Sequence, residues 1–177
     1  NEDDFNTATK YPSMFPKAYA HADDFSWIIM ETTAPLTSPD VMQKVLDQSF
    51  PKEQEVLRHL GSAGSLPPNE YGNQFNIADP FHIMKLIMAS FRFERKDTPG
   101  AQARTAKAKV SDVGVAQDLQ KALAPVAGRA YHELSKVMHE FAIDKYEIGR
   151  GNIGHDKDYN FKIIDSSVFD SDWDPED

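Results

Sequence analysis

The apolar positions change period several times along this chain, and the changes mark its elements. Residues 1–10 (NEDDFNTATK) are polar and read as the end of a helix, stopped by Tyr11-Pro12 and then Pro16. From Lys17 the pattern turns extended. Ala18-Tyr19-Ala20-His21 reads as a short strand, and Ala22-Asp23-Asp24 supplies turn residues. Phe25 to Met30 is an aromatic and β-branched run, expected to be a strand buried on both faces. Together these predict a β-hairpin, followed by a linker over 32–37. Ser38-Pro39-Asp40 then opens a helix, with Ser38 as N-cap, Pro39 at the first helical position, and Val41, Val45 and Leu46 as its apolar stripe.

The stretch from about 50 to 110 is less regular. Gly61 to Pro68 (GSAGSLPP) is a loop by composition. Residues 79–93 predict a helix capped by Asp79, with Pro80 at its first position. Phe81, Ile83, Met84, Leu86, Ile87 and Met88 make that helix apolar nearly all round, so it must be buried. Residues 94–110 are basic and Ala-rich and read as a loop. From Ser111 the pattern is helical again: Val115, Leu119 and Leu123 share a face, and Pro125 kinks or restarts the helix. Tyr131, Leu134, Val137, Met138 and Phe141 then recur at a spacing of three to four. A polar loop, DKYEIGRG, leads to short strand-like pieces at 152–154 and 161–164, and residues 170–177 form an acidic, solvated tail. No internal repeat is visible.

Composition narrows the class. The 177 residues suffice for one domain, or one domain with a large insertion. A net charge of −9 lacks the basic face that a nucleic-acid partner requires. The absence of cysteine excludes disulfides and thiolate-bound zinc. No apolar run reaches the roughly 18–20 residues of a membrane span, so no membrane partner is expected. The acidic first residues show no signal-peptide pattern, which points to the cytoplasm. His132 and His139 lie near Glu133 and Glu140, but the H-E-x-x-H spacing is missing, so exposed or core-edge histidines are expected. Lys96, Arg104, Lys107 and Lys109 form a basic stretch whose plain reading is a solvated loop and whose sharper one is contact with an acidic partner.

The chemistry concentrates near the C-terminus. Glu147 lies five residues before Asn152, and Asp165 lies thirteen after it, directly behind the apolar run Phe161 to Ile164. A long helix, a polar loop and two short strands closed by an aspartate, at these spacings, resemble the catalytic core of the protein kinase-like superfamily. There an Asp-x-x-x-x-Asn loop is followed, across a short hairpin, by a metal-binding Asp. Here the loop stands as Glu147-Ile148-Gly149-Arg150-Gly151-Asn152 and the second element as Ile163-Ile164-Asp165-Ser166-Ser167. Phe25 to Thr33 (FSWIIMETT) is similar to the last N-lobe strand of such proteins running into the hinge. The phrases PKAYAHADDFSWIIMET and GNIGHDKDYNFKIIDSS look like compact kinase-like proteins of tailed phages.

The resemblance covers roughly residues 1–47 and 113–168. It implies an α+β, protein-kinase-like fold: a residual N-lobe helix, hairpin and hinge over 1–37, a mostly helical C-lobe over 38–170 with a helical insertion at about 50–110, and the tail at 171–177. It implies ATP and Mg²⁺ as cofactors, Asn152 and Asp165 as metal ligands, and Glu147 as the catalytic base. Met30 would be the gatekeeper, with the backbone of Glu31 to Thr33 meeting an adenine edge. Phosphoryl transfer is mostly positioning and charge neutralisation, which is why oxygen donors are wanted at these places. The implied function is an ATP- and Mg²⁺-dependent phosphotransferase or a degenerate relative. The alternative is an inactive pseudokinase that binds a host or virion protein in the host-cell cytoplasm. The sequence departs from the family pattern in three places. Glu147 stands where an aspartate is usual, and Ser166-Ser167 stands where protein kinases carry Phe-Gly. The 177 residues contain no Gly-rich phosphate loop or ATP-anchoring lysine before the hinge.

Overall fold

The computed structural model of the chain describes residues 2–68, 74–91, 110–141 and 152–164. Within them the architecture is mixed α+β: helices around one apolar core, with two small antiparallel sheets. Helix α1 (Glu2–Lys10) carries Glu2, Asp3 and Asp4 in its first turn and Lys10 in its last, which suits the helix dipole. It ends before Pro12, as the sequence predicts.

Strands β1 (Ala18–His21) and β2 (Ile28–Met30) form the expected hairpin as a two-stranded sheet. Two details of the expectation are corrected. The second strand starts at Ile28 rather than Phe25, because Phe25 adopts a left-handed backbone (φ 54) and belongs to the turn. The Ala22 N–H donates to the Trp27 carbonyl at 3.1 Å and closes that loop. Nor is β2 buried on both faces: Trp27 is 51% exposed and Ile29 55%, while Ile28 and Met30 are half-buried. Among the described residues this sheet has two strands, and α1 covers it on one side, with Phe5 against the rings of His21 (4.2 Å) and Phe25 (5.7 Å).

The expected linker contains a further strand, β3 (Ala34–Pro35), which pairs antiparallel with β4 (Ile153–His155); β4 in turn pairs with β5 (Phe161–Ile163). The Leu36 N–H donates to the Ile153 carbonyl at 3.3 Å. Strand alternation therefore turns Ala34 towards β4 and Pro35 towards the open edge, where a missing N–H costs nothing. Gly154 is required opposite Pro35, because a Cβ there would run into the Ala34 carbonyl oxygen.

Helix α2 (Pro39–Ser49) starts as predicted, with Ser38 Oγ accepting from the Val41 N–H at 3.3 Å. Met42, Val45 and Leu46 are buried and Val41 is half-buried. Phe50 then ends α2 and caps α3 (Pro51–Ser62), a helix whose buried face is largely polar: Glu53, Gln54 and Leu57. Gln54 donates to Asp47 at 2.7 Å and accepts from Gln43 at 2.9 Å, and Glu53 Oε1 accepts from the Gly128 N–H at 2.7 Å. Helix α4 (Pro80–Ala89) is capped by Asp79 and buried nearly all round, so it is the central helix, packed against α2, α3 and α5 (Val110–Leu123). Pro125 sits in a 3₁₀ turn (Ala124–Val126), after which the chain restarts as α6 (Arg129–Phe141). Leu119, Leu123, Tyr131, Leu134, Val137 and Met138 are buried on the predicted faces. The Tyr131 hydroxyl lies 2.8 Å from Ser90 Oγ, which itself donates to the Ile87 carbonyl.

Two turns share one local geometry. The pentapeptides His21-Ala22-Asp23-Asp24-Phe25 and His155-Asp156-Lys157-Asp158-Tyr159 build the same turn. In each, the histidine Nδ1 sits 2.7 Å from the next residue's carbonyl oxygen, so that nitrogen carries the proton. The aromatic residue four positions on has a positive φ and stacks on the imidazole, at 4.6 Å in the first turn and 4.9 Å in the second. Its N–H donates back to that same carbonyl residue in both turns.

Candidate functional site

The candidate site is assembled at the base of the β4–β5 hairpin. Asn152 immediately precedes β4, and the Ile164 N–H donates to its carbonyl at 2.9 Å, so the two ends of the hairpin are joined directly across the sheet. Asn152 is half-buried. Asp165 follows Ile164 in sequence, but it and Glu147 lie outside the described residues, as do Gly149 to Gly151, the basic stretch from Lys96 to Lys109 and the acidic tail with Trp173.

The expected hinge reaches the same sheet from the other end of the chain. Met30 pairs with Ala18 and packs, half-buried, on the core. Residues 31–33 lead into β3, whose Ala34 stands opposite His155 and whose Pro35 stands opposite Gly154. The pairing is antiparallel, so Ala34, just after Thr33, meets the far end of β4, and it is Leu36 that bonds to Ile153, just after Asn152. Of the three hinge residues, Glu31 is already engaged. Its N–H donates to the Lys17 carbonyl at 2.7 Å, and its carboxylate accepts from the Lys17 N–H at 3.2 Å. With Ala34 turned towards β4, alternation points the Thr33 N–H to the opposite side.

Lys162, which sequence reading passed over, holds this arrangement together. It is buried, and its ammonium donates to the Pro12 carbonyl at 3.1 Å and the Phe15 carbonyl at 3.3 Å, with Glu31 Oε2 at 3.7 Å. The adjacent Ile163 N–H donates to the Met14 carbonyl at 2.7 Å. The only signal in the sequence is a lysine inside the apolar run Phe161 to Ile164, where a buried charge needs several acceptors.

The far end of the hairpin is anchored to α2. Asp156 accepts from the N–H groups of Asp158 and Asn160, both at 2.9 Å, and from Asn160 Nδ2 at 2.8 Å. Burial pushes the Asp156 carboxyl upward. The hydrogen bonds from Asn160 and Asp158 and the charge of Lys162 together outweigh it, holding the group below its ordinary value. The Phe161 N–H donates to Ser49 Oγ at 2.9 Å, and the Lys44 ammonium lies 5.0 Å above the Tyr159 ring. The hairpin is therefore held by backbone pairing at its base and by docking on α2 at its tip.

Among the described residues no group of three His, Asp or Glu side chains is placed to hold a metal ion. His132 is exposed, and the His139 side chain lies outside the described residues. The expected ligand pair, an amide oxygen at Asn152 and a carboxylate at Asp165, is a hard-oxygen set, which fits Mg²⁺ rather than a soft metal. No protein-family model, curated protein or solved structure matches the chain.

Proposed function

We propose that the chain carries a kinase-like nucleotide and Mg²⁺ site, as an ATP-dependent phosphotransferase or a degenerate relative of one. The observation that supports it most is that two segments far apart in sequence share one sheet. The Ile164 N–H bonds to the Asn152 carbonyl, and β3, which follows the Glu31–Thr33 segment, pairs with the strand that follows Asn152. A hinge, a loop asparagine and a strand ending before an aspartate are the parts that such a site brings together.

In this reading Asn152 and Asp165 hold Mg²⁺, which supplies charge neutralisation at the phosphates. Glu147 accepts the proton of the attacking hydroxyl. Its side chain is one methylene longer than the usual aspartate, which moves the carboxylate by about 1 Å, a scale to which such chemistry is sensitive. Thr33 offers the open backbone edge to an adenine, since the Glu31 N–H is committed to Lys17.

The test is transfer of the terminal phosphoryl group of ATP to water or to a set of hydroxyl acceptors, compared with Glu147→Gln. Turnover that Glu147→Gln reduces by about a hundredfold or more supports the base assignment. Nucleotide binding without turnover in either chain assigns the degenerate form.

A further inference from the structure

Apart from the nucleotide reading, the β1–β2 hairpin has an unused edge and an unused face. The Ala22 N–H to Trp27 carbonyl bond and the Glu31 N–H to Lys17 carbonyl bond show that residues 27 and 31 turn their main-chain groups towards β1. In an antiparallel strand the N–H and C=O of one residue point the same way and alternate along the chain. Ile28 and Met30 therefore present theirs on the outer edge of β2, and no strand among the described residues pairs there. Beside that edge Tyr19, Trp27 and Ile29 are 59%, 51% and 55% exposed, the large exposed apolar side chains among the described residues. A two-stranded hairpin is marginal by itself, and open edges of this kind are templates for a further strand.

The charges around the edge select the occupant. Asp23 and Asp24 are exposed at the hairpin tip, and Glu2 and Asp3 are exposed on α1, which packs against β1. Hydrogen bonds from the Ser26 hydroxyl and N–H hold Asp24 below its ordinary value, so it stays ionised. Lys17 is folded over the Tyr19 ring. A second copy of the chain is disfavoured. Antiparallel pairing about Ile29 would set Trp27, an apolar ring, opposite the carboxylate of the partner's Glu31.

We infer that the outer edge of β2 is a docking site for an extended segment of another protein, added as a third strand. Its apolar side chains, at alternate positions, cover Trp27, Ile29 and Tyr19, and Lys or Arg at the end nearest the tip meets Asp23 and Asp24. Main-chain bonds to Ile28 and Met30 supply affinity, and the apolar face with its acidic tip supplies selection.

The probe is a displayed library of random twelve-residue peptides, selected on the full chain. Selected sequences should alternate apolar and polar positions beside a Lys- or Arg-bearing end. Trp27→Ser with Ile29→Thr, both at exposed positions, should weaken binding of the selected peptides by about tenfold or more. Ile28→Pro removes an outward N–H, not one of the β1–β2 donors, and should abolish binding while the β1–β2 bonds survive. In a selected peptide, N-methylation at alternate residues should block binding for one set and spare the other, which is the signature of strand addition. The inference is overturned if selection yields no alternating, basic-ended sequences, or if both variants bind the selected peptides as well as the parent. Self-association in sedimentation that depends on Trp27 and Ile29 would also overturn it, in favour of a second copy.

Discussion

The Lys162 ammonium and the Glu31 carboxylate lie 3.7 Å apart, joining the strand before Asp165 to the segment that leaves the N-terminal hairpin. The same ammonium binds the Pro12 and Phe15 carbonyls, so one buried side chain ties three stretches of chain together. Lys162→Met keeps the stem but leaves those carbonyls without the ammonium donor and Glu31 without its cation, with only the Lys17 N–H still bonded to its carboxylate. It should cost about 2–4 kcal/mol of stability, because buried acceptors lose their partner. Glu31→Gln, at a partly exposed position, should cost about 1 kcal/mol or less. Denaturant midpoints at unchanged slope will check both values.

Asp156 gives the hairpin a pH dependence of defined sign. Its folded-state carboxyl titrates below the ordinary value of 3.8, so the unfolded chain binds its proton first as pH falls. The stabilisation is therefore complete above about pH 5 and is lost as pH drops through the ordinary value towards the folded one. Asp156→Ala should cost about 1–3 kcal/mol at pH 7, and the difference between variant and parent should shrink below about pH 4. Thermal melts between pH 7 and pH 3 measure it.

Glu53 is fully buried, yet among the described residues only Oε1 has a partner, the Gly128 N–H at the start of α6. Glu53→Gln keeps that acceptor and removes a buried charge, so stability should be unchanged or higher. Glu53→Ala strands the Gly128 N–H and opens a void, and should cost about 1–3 kcal/mol. Equal losses in the two variants would contradict this account.

Gly154 tests the joint between β3 and β4. An added methyl meets the Ala34 carbonyl oxygen and lies 3.0 Å from Ile164 Cγ2, so Gly154→Ala must push β3 and the end of β5 apart. A cost of about 1–3 kcal/mol in denaturation is expected. If the kinase-like reading holds, nucleotide affinity should fall by more than the loss of folded protein explains.

What the sequence made legible follows from how local each signal is. The starts of α2 and α4 could be read because Ser38-Pro39 and Asp79-Pro80 are caps that act within one turn. The buried faces of α4 and α6 could be read because their apolar spacing is regular. Helix α3 was hidden because its buried face carries Glu53 and Gln54, which hydrogen bonds satisfy and periodicity does not register. Strand β3 is two residues long and contains a proline, so only its partner defines it. The exposure of Trp27 and Ile29 depends on no third strand lying beside β2 among the described residues, which no local pattern encodes. Lys162 finds its acceptors 147 and 150 residues away in sequence. The shared turn of 21–25 and 155–159 is a five-residue likeness, too short for a scan of longer periods. The adjacency of Asn152 and Ile164 was implicit in the spacing of Asn152 and Asp165, because two short strands over that distance must fold back as a hairpin.

The central claim is a nucleotide and Mg²⁺ site built on Asn152 and Asp165. Titration calorimetry of ATP into the intact chain, with and without Mg²⁺, addresses it most directly. The account predicts Mg²⁺-dependent binding that Asp165→Ala abolishes and Asn152→Ala weakens, with both variants folded. Absence of nucleotide binding by the intact chain, or binding that neither Mg²⁺ removal nor Asp165→Ala alters, would contradict it.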